Sequence, residues 1–341
     1  GLTDIQAGRL DITIIGSFGL GWVNIAAGAE LRMDRTGTLN FPNELLGNGD
    51  VRSVGSGTTI LTAANFGFSG RFLVDNGILQ VGDGTPTGNS GDLGSAVKVV
   101  VTTPGQLRFN YTNDYALYRS IEGNGDLVQQ SEMVLSLSAD NRGTPGFTGR
   151  AVVNNGTMEA YAVGSLTNAS GIVVNYGTYF DTFAFGVAPG SFFKVTGNDA
   201  VGTASYGVPL TLNGGTADVL TQTAYLGAIT LNGGELTSDQ LLPNASGSWV
   251  FLGDVSATAN STISAQGIHF GTTSASRDFS VAAGKTVLFS GSFGDFASAV
   301  ASISKSGAGT LELNGSAKTY SGTTTLNGGF LKFADEAQLG Q

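Results

Sequence analysis

A strand-corner-strand cassette recurs three times without a gap, and it restricts the fold of this chain more than any other feature. Tyr320-Ser-Gly-Thr-Thr-Thr-Leu-Asn-Gly-Gly-Phe-Leu-Lys-Phe333 is echoed by Phe68-Ser-Gly-Arg-Phe-Leu-Val-Asp-Asn-Gly-Ile-Leu-Gln-Val81 and by Phe147-Thr-Gly-Arg-Ala-Val-Val-Asn-Asn-Gly-Thr-Met-Glu-Ala160. Each ends in an apolar-polar-apolar step, the signature of a short strand with one buried face. Each places Asn-Gly or Gly-Gly between two such strands, where a sharp corner needs positive φ. Ile5-Gln-Ala-Gly8-Arg-Leu10-Asp-Ile12 joins the same alignment, and Leu212-Asn-Gly-Gly215 and Leu231-Asn-Gly-Gly234 are shorter echoes, spaced as one turn of a coil.

Two further units recur. One runs apolar, several residues, Gly, then an apolar pair: Val23 to Leu31 around Gly28, Val101 to Phe109 around Gly105, Val281 to Phe289 around Gly284. The other is Gly-x-Gly followed by a strand, at Gly47-Asn-Gly49, Gly123-Asn-Gly125 and Gly307-Ala-Gly309, each preceding an aromatic-hydroxyl-Gly unit. A cassette this short cannot bury its apolar face alone, so neighbours must stack around a shared core. The expectation is an all-β, right-handed parallel β-helix (β-solenoid), a single elongated domain over residues 1-341. At ~20 to 24 residues per coil it makes roughly 14 to 17 coils, with Phe68, Phe147 and Tyr320 at comparable places in theirs. Helical signals are confined to single turns at Asp239-Gln240-Leu241-Leu242 and Ala334-Asp335-Glu336-Ala337, and Gly82 to Gly94 reads as a loop.

Composition narrows the function. Charged residues make up 12 % of the chain while 41 % is hydrophobic, including 20 Phe, so disorder is excluded and the surface must rest on hydroxyls and amides. A formal charge of −10 with 16 scattered Lys and Arg excludes a nucleic-acid partner. No apolar run reaches the ~18 residues of a membrane span, and Lys98 interrupts Val97 to Val101.

The chemistry-bearing residues are few. There is no Cys, and the single His269 alternates with Ile268 and Phe270, which places it on the solvent side of a strand. Ala283-Gly284-Lys285-Thr286 imitates the end of a phosphate loop, but Phe279 stands where the first Gly belongs and no helix follows. Asp50 and Asp126 belong to corner units and form no pattern of calcium ligands. No residue is assigned as catalytic, cofactor-binding or metal-ligating, and no cofactor is expected. Aromatics gather at Tyr111 to Tyr118 and Tyr176 to Phe185, as core ladder residues or as an exposed strip that grips a glycan or protein.

The ordered units, clearest from Phe279 to Gly340, resemble the autotransporter-associated β-strand repeat (passenger-associated transport repeat) of bacterial autotransporter passenger domains. The resemblance implies an extracellular or cell-surface protein of a Gram-negative-type bacterium, structural or adhesive and not an enzyme. Its partner would be a host or neighbouring-cell surface protein or glycan. Because Gly322 to Gln341 repeats the phase of Gly1 to Leu20, the alternatives are a segment of a longer solenoid or a filament subunit that self-associates end to end. A glycan-active enzyme on a β-helix is the remaining reading, disfavoured by thinly spread carboxylates.

Overall fold

Alternation of apolar and polar residues fixes which way each strand faces. In Glu30–Met33, Leu31 and Met33 are buried while Glu30 and Arg32 face outward, and Gln106–Phe109 repeats the arrangement with Leu107 and Phe109 inside. The computed structural model describes residues 1–13, 18–85, 91–176, 191–197, 199–220, 222–238, 247–296, 298–315 and 318–340. Its strands pair in parallel and stack as a β-solenoid of about 13 turns. Contacts divide the chain into two compact units, Gly1–Gly156 and Thr157–Gln341.

In the first unit the chain steps through three sheets per coil. One contains Arg9–Ile12, Glu30–Met33, Asp50–Ser53, Arg71–Val74, Lys98–Val101 and Ile121–Glu122. The next contains Thr38–Phe41, Thr58–Leu61, Ile78–Val81, Gln106–Phe109, Asp126–Gln129 and Arg150–Val153. The third step is taken by Thr3–Ile5, Val23–Ile25 and Leu45–Gly47 early in the chain and by Tyr115–Leu117 and Val134–Leu137 later. The second unit has two long parallel stacks, typified by Val208–Asn213 on Thr223–Leu231 and by Thr216–Val219 on Glu235–Ser238. A side branch there joins Ser248–Phe251, Ile268–His269 and Phe293–Gly294. The interior of its later coils holds a run of rings: Phe270 lies 5.2 Å from Phe293, Phe293 4.6 Å from Tyr320, and Phe279 5.9 Å from Phe289. Such ring pairs add to the area they bury.

The coil count falls below the 14 to 17 expected because some coils are long. Leu45 and Asn65, one coil apart, are separated by 20 residues, but Asn65 and Asp92 by 27 and Asn175 and Asn213 by 38. The cassettes also shift around the coil. Phe68 leads into a strand of the first unit's first sheet, whereas Phe147 leads into Arg150–Val153 of its second sheet, so the two are not at comparable places. What repeats is a corner, and any corner of the coil can use it. Of the two expected helical turns, Glu336–Leu339 is a 3-10 turn capped by Asp335, and Asp239 to Leu242 lies outside the described residues.

Two corners show why glycine stands there. Gly77 and Gly329 have φ of 65° and 67°, and a Cβ on either would fall 2.3 Å from the carbonyl oxygen of Gly57 or Gly309 in the preceding coil. The residues that follow, Ile78 and Phe330, donate their N–H groups to those same carbonyls at 2.9 and 3.0 Å. Gly307-Ala-Gly309 therefore lies beneath the Gly329 corner, as Gly55-Ser-Gly57 lies beneath Gly77. The other Gly-x-Gly copies behave differently: Gly47 accepts from Ser69 N–H and Gly123 from Thr148 N–H, both at 2.8 Å, in the aromatic-hydroxyl-Gly units one coil on. Sequence grouped three Gly-x-Gly copies that the fold uses in two ways.

Candidate functional site

Corners leave backbone groups without strand partners, and buried polar side chains satisfy them. In the first unit these are amides. Asn65 accepts from Leu45 N–H at 2.9 Å and donates to Asp92 O at 2.5 Å, Asn141 accepts from Ile121 N–H at 2.8 Å, and Asn43 donates to Gly19 O and Gly21 O. Gln129, in register with Phe109 and Val153 and 1 % exposed, donates to the carbonyls of Ser131 and Met133. In the second unit two ammonium groups join the Trp249 indole, which donates to Thr237 O, and the Gln338 amide, which donates to Gly315 O. Lys305 takes a core position in register with Phe279, and its Nζ donates to Gly307 O at 3.0 Å and Gly328 O at 3.2 Å. Lys318 Nζ donates to Asn314 O at 2.8 Å and to Gly291 O, lies 5.4 Å from the Phe289 ring centre, and is pushed down to about 8 by burial.

Outward faces differ as well. The first unit ties coils together with ions: Arg52 bridges Glu30 (2.8 Å) and Asp75 (2.5 Å), Arg71 pairs with Asp50, Lys98 with Glu122 and Arg150 with Asp126. The second unit leans on amides and hydroxyls, with one cross-coil ion pair among the described residues, Lys332 to Glu312 at 4.0 Å, and hydroxyls of Ser306 and Ser321 on the carboxylates of Asp278 and Asp295. Asn213 donates to Asn175 Oδ1 at 2.8 Å, Asn232 to Asn213 Oδ1 at 2.9 Å, and Thr258 to Asn232 Oδ1. Each unit carries a polar groove. One of about 460 Å³ is lined by Asn110, Thr112, Gln130, Glu132, Met133 and Asn155, among others, and one of about 530 Å³ by Thr216, Glu235, Asn260, Thr262 and Thr286, among others.

Residues singled out from the sequence take structural places. Asp50 and Asp126 hold the arginines of the next coil. Gly284-Lys285 is a turn between Ala275–Val281 and Thr286–Phe289. His269 faces away from the buried Ile268 and Phe270, yet it is half covered by Phe296, whose ring meets it edge-on at 5.0 Å, and burial lowers its pKa. Tyr111 and Tyr115 stack at 4.4 Å against Phe109, while Tyr118 is exposed. Tyr115 Oη donates to Asp92 at 3.4 Å, whose carboxyl burial pushes up. Of the second aromatic stretch, Tyr176 is exposed and residues 177–185 lie outside the described residues. Among the described residues no group of three or more His, Asp or Glu is placed to hold a metal ion. The buried Asn and Lys were missed because nothing in their spacing separates them from loop Asn and surface Lys.

Comparison with known families locates this architecture. The passenger-associated-transport-repeat model matches residues 54–81 and 303–332. Each match contains a Gly-x-Gly turn, an aromatic-hydroxyl-Gly unit and the corner that closes back over that turn, Gly77 on Gly57 and Gly329 on Gly309. One repeat is thus one closed coil. No curated protein and no solved structure matches the chain. The chain carries passenger-associated transport repeats on a parallel β-solenoid.

Proposed function

We propose that this chain is a passenger-type segment of a bacterial surface protein, with a structural and adhesive role and no chemistry of its own. The observation that carries the reading is the pair of passenger-associated transport repeats, each one complete coil of the solenoid. Such repeats go with secreted or cell-surface proteins. Glu132 and Glu235 are the single carboxylates among the residues lining their respective grooves, which does not make the paired carboxylates of a glycosidase. No helix among the described residues is long and apolar enough to cross a membrane. The test is antibody labelling of cells that make the full-length protein. Intact cells should label, and labelling only after permeabilisation would sink the proposal.

A further inference from the structure

We propose that the first unit's groove is a binding site for a neutral oligosaccharide, held by the amides of Asn110 and Gln130 and the carboxylate of Glu132. Its volume of about 460 Å³ falls in the usual range of small-molecule sites, ~300 to 1,000 Å³. Asn110, Gln130 and Asn154 directly follow three successive strands paired in register, Gln106–Phe109, Asp126–Gln129 and Arg150–Val153, so they stand at the same corner of successive coils. Asn154 Nδ2 donates to Gln130 Oε1 at 3.0 Å, which fixes the Gln130 amide and leaves its Nε2 as the donor it can offer. Glu132 is exposed at the groove's edge.

The interior beneath the groove is arranged to hold it still. Gln129 occupies a core place where its neighbours in register are Phe109 and Val153; its Oε1 has no partner there among the described residues, and the amide is held through its Nε2 alone. Its Nε2 donates to Ser131 O and Ser131 Oγ at 3.1 Å and to Met133 O at 2.6 Å, fastening the loop that carries Glu132 and Met133. Behind Asn110, Tyr111 stacks on Tyr115 and donates to Gly91 O at 3.3 Å. A wall fixed before binding loses little entropy when a ligand arrives.

The lining chemistry selects the ligand class. Sugar hydroxyls both donate and accept, matching amides that do both and a carboxylate that accepts two donors, while Met133 offers an apolar surface to ring C–H groups. The lining has no Lys or Arg, carries Glu132, and belongs to a chain of formal charge −10, so an acidic sugar would meet repulsion with no cation to offset it. The proposal names a ligand class for the adhesive reading above and rests on that reading only for where the ligand is met. The purified chain would be titrated by calorimetry and NMR with maltohexaose, cellohexaose and chitohexaose, with hexagalacturonate as the acidic probe. Saturable binding of at least one neutral probe is expected, weakened tenfold or more by Glu132→Ala and unchanged by Glu235→Ala in the other unit's groove. Circular dichroism of each variant confirms that it is folded. Failure of all three neutral probes, equal affinity for hexagalacturonate, or full affinity in Glu132→Ala would overturn the site. Cell-surface labelling without binding discards the site alone, and binding without surface labelling discards the surface reading alone.

Discussion

The two units solve the same structural problem with charges in opposite places. The first unit keeps ions outside and amides inside: Arg52, Arg71, Lys98 and Arg150 pair with carboxylates across coils, while Asn43, Asn65 and Asn141 serve the buried corners. The second unit has a single cross-coil ion pair among the described residues, Lys332 to Glu312, keeps mainly amides and hydroxyls outside, as in the Asn175, Asn213, Asn232 and Thr258 ladder, and buries the ammonium groups of Lys305 and Lys318. Parallel coiling demands only that stranded N–H and C=O groups find partners. It does not dictate which chemistry supplies them, so these are the places where repeats can diverge without changing the fold.

The largest expected effect tests the buried amides. Asn65→Leu keeps the branched side-chain shape but leaves Leu45 N–H and Asp92 C=O unpaired in the interior. Each such group costs about 1 to 3 kcal/mol, so the first unit should lose about 2 to 6 kcal/mol in urea unfolding. A midpoint within error of wild type would mean that water, and not Asn65, serves this corner, and the contrast between the units would shrink to their surfaces.

The second prediction concerns the buried ammonium. Lys318 titrates at about 8 in the fold against 10.5 as a free side chain. Below pH 8 both folded and unfolded chains carry the proton, and the fold bears the full cost of burying the charge. Above 10.5 neither carries it. Between the two the unfolded chain binds more protons, so stability rises with pH, by about 3 kcal/mol over the interval. Lys318→Met should flatten that part of the pH profile, read as the difference between wild-type and variant unfolding from pH 7 to 11. Parallel profiles would show that Lys318 is not the titrating group. No similar slope is expected from Asn65, which has nothing to titrate.

How much of this was legible in sequence follows from what a strand repeat encodes. Alternation at Leu79/Val81 and Leu331/Phe333 and the glycines at 77 and 329 announced strands and corners, because burial and positive φ each restrict residue type strongly. The face on which a corner falls was not legible. Phe68 and Phe147 share a local pattern, and only the count of residues between them, stretched by long coils, decides that they land on different sheets. Lys305 looks like any lysine in Ser304-Lys305-Ser306, and its burial depends on Gly328, 23 residues later, turning a carbonyl toward it. The groove was hidden for a similar reason, since Asn110, Gln130 and Asn155 meet only after the chain has coiled twice.

The smallest effect separates the two outer faces. Arg52 reaches Glu30 and Asp75 from a half-exposed position, where ion pairs contribute about 1 kcal/mol or less. Arg52→Ala should therefore lower stability by no more than about 1 kcal/mol in 0.1 M salt. The loss should shrink further in 1 M salt, as the screening length falls from about 10 to 3 Å. Asn213→Ala, which removes a donor to Asn175 and an acceptor for Asn232, should also cost about 1 kcal/mol, but equally at both salt concentrations. If the two variants respond alike to salt, the ionic and neutral ladders are energetically equivalent. Their different placement in the two units would then owe nothing to how the coils are held together.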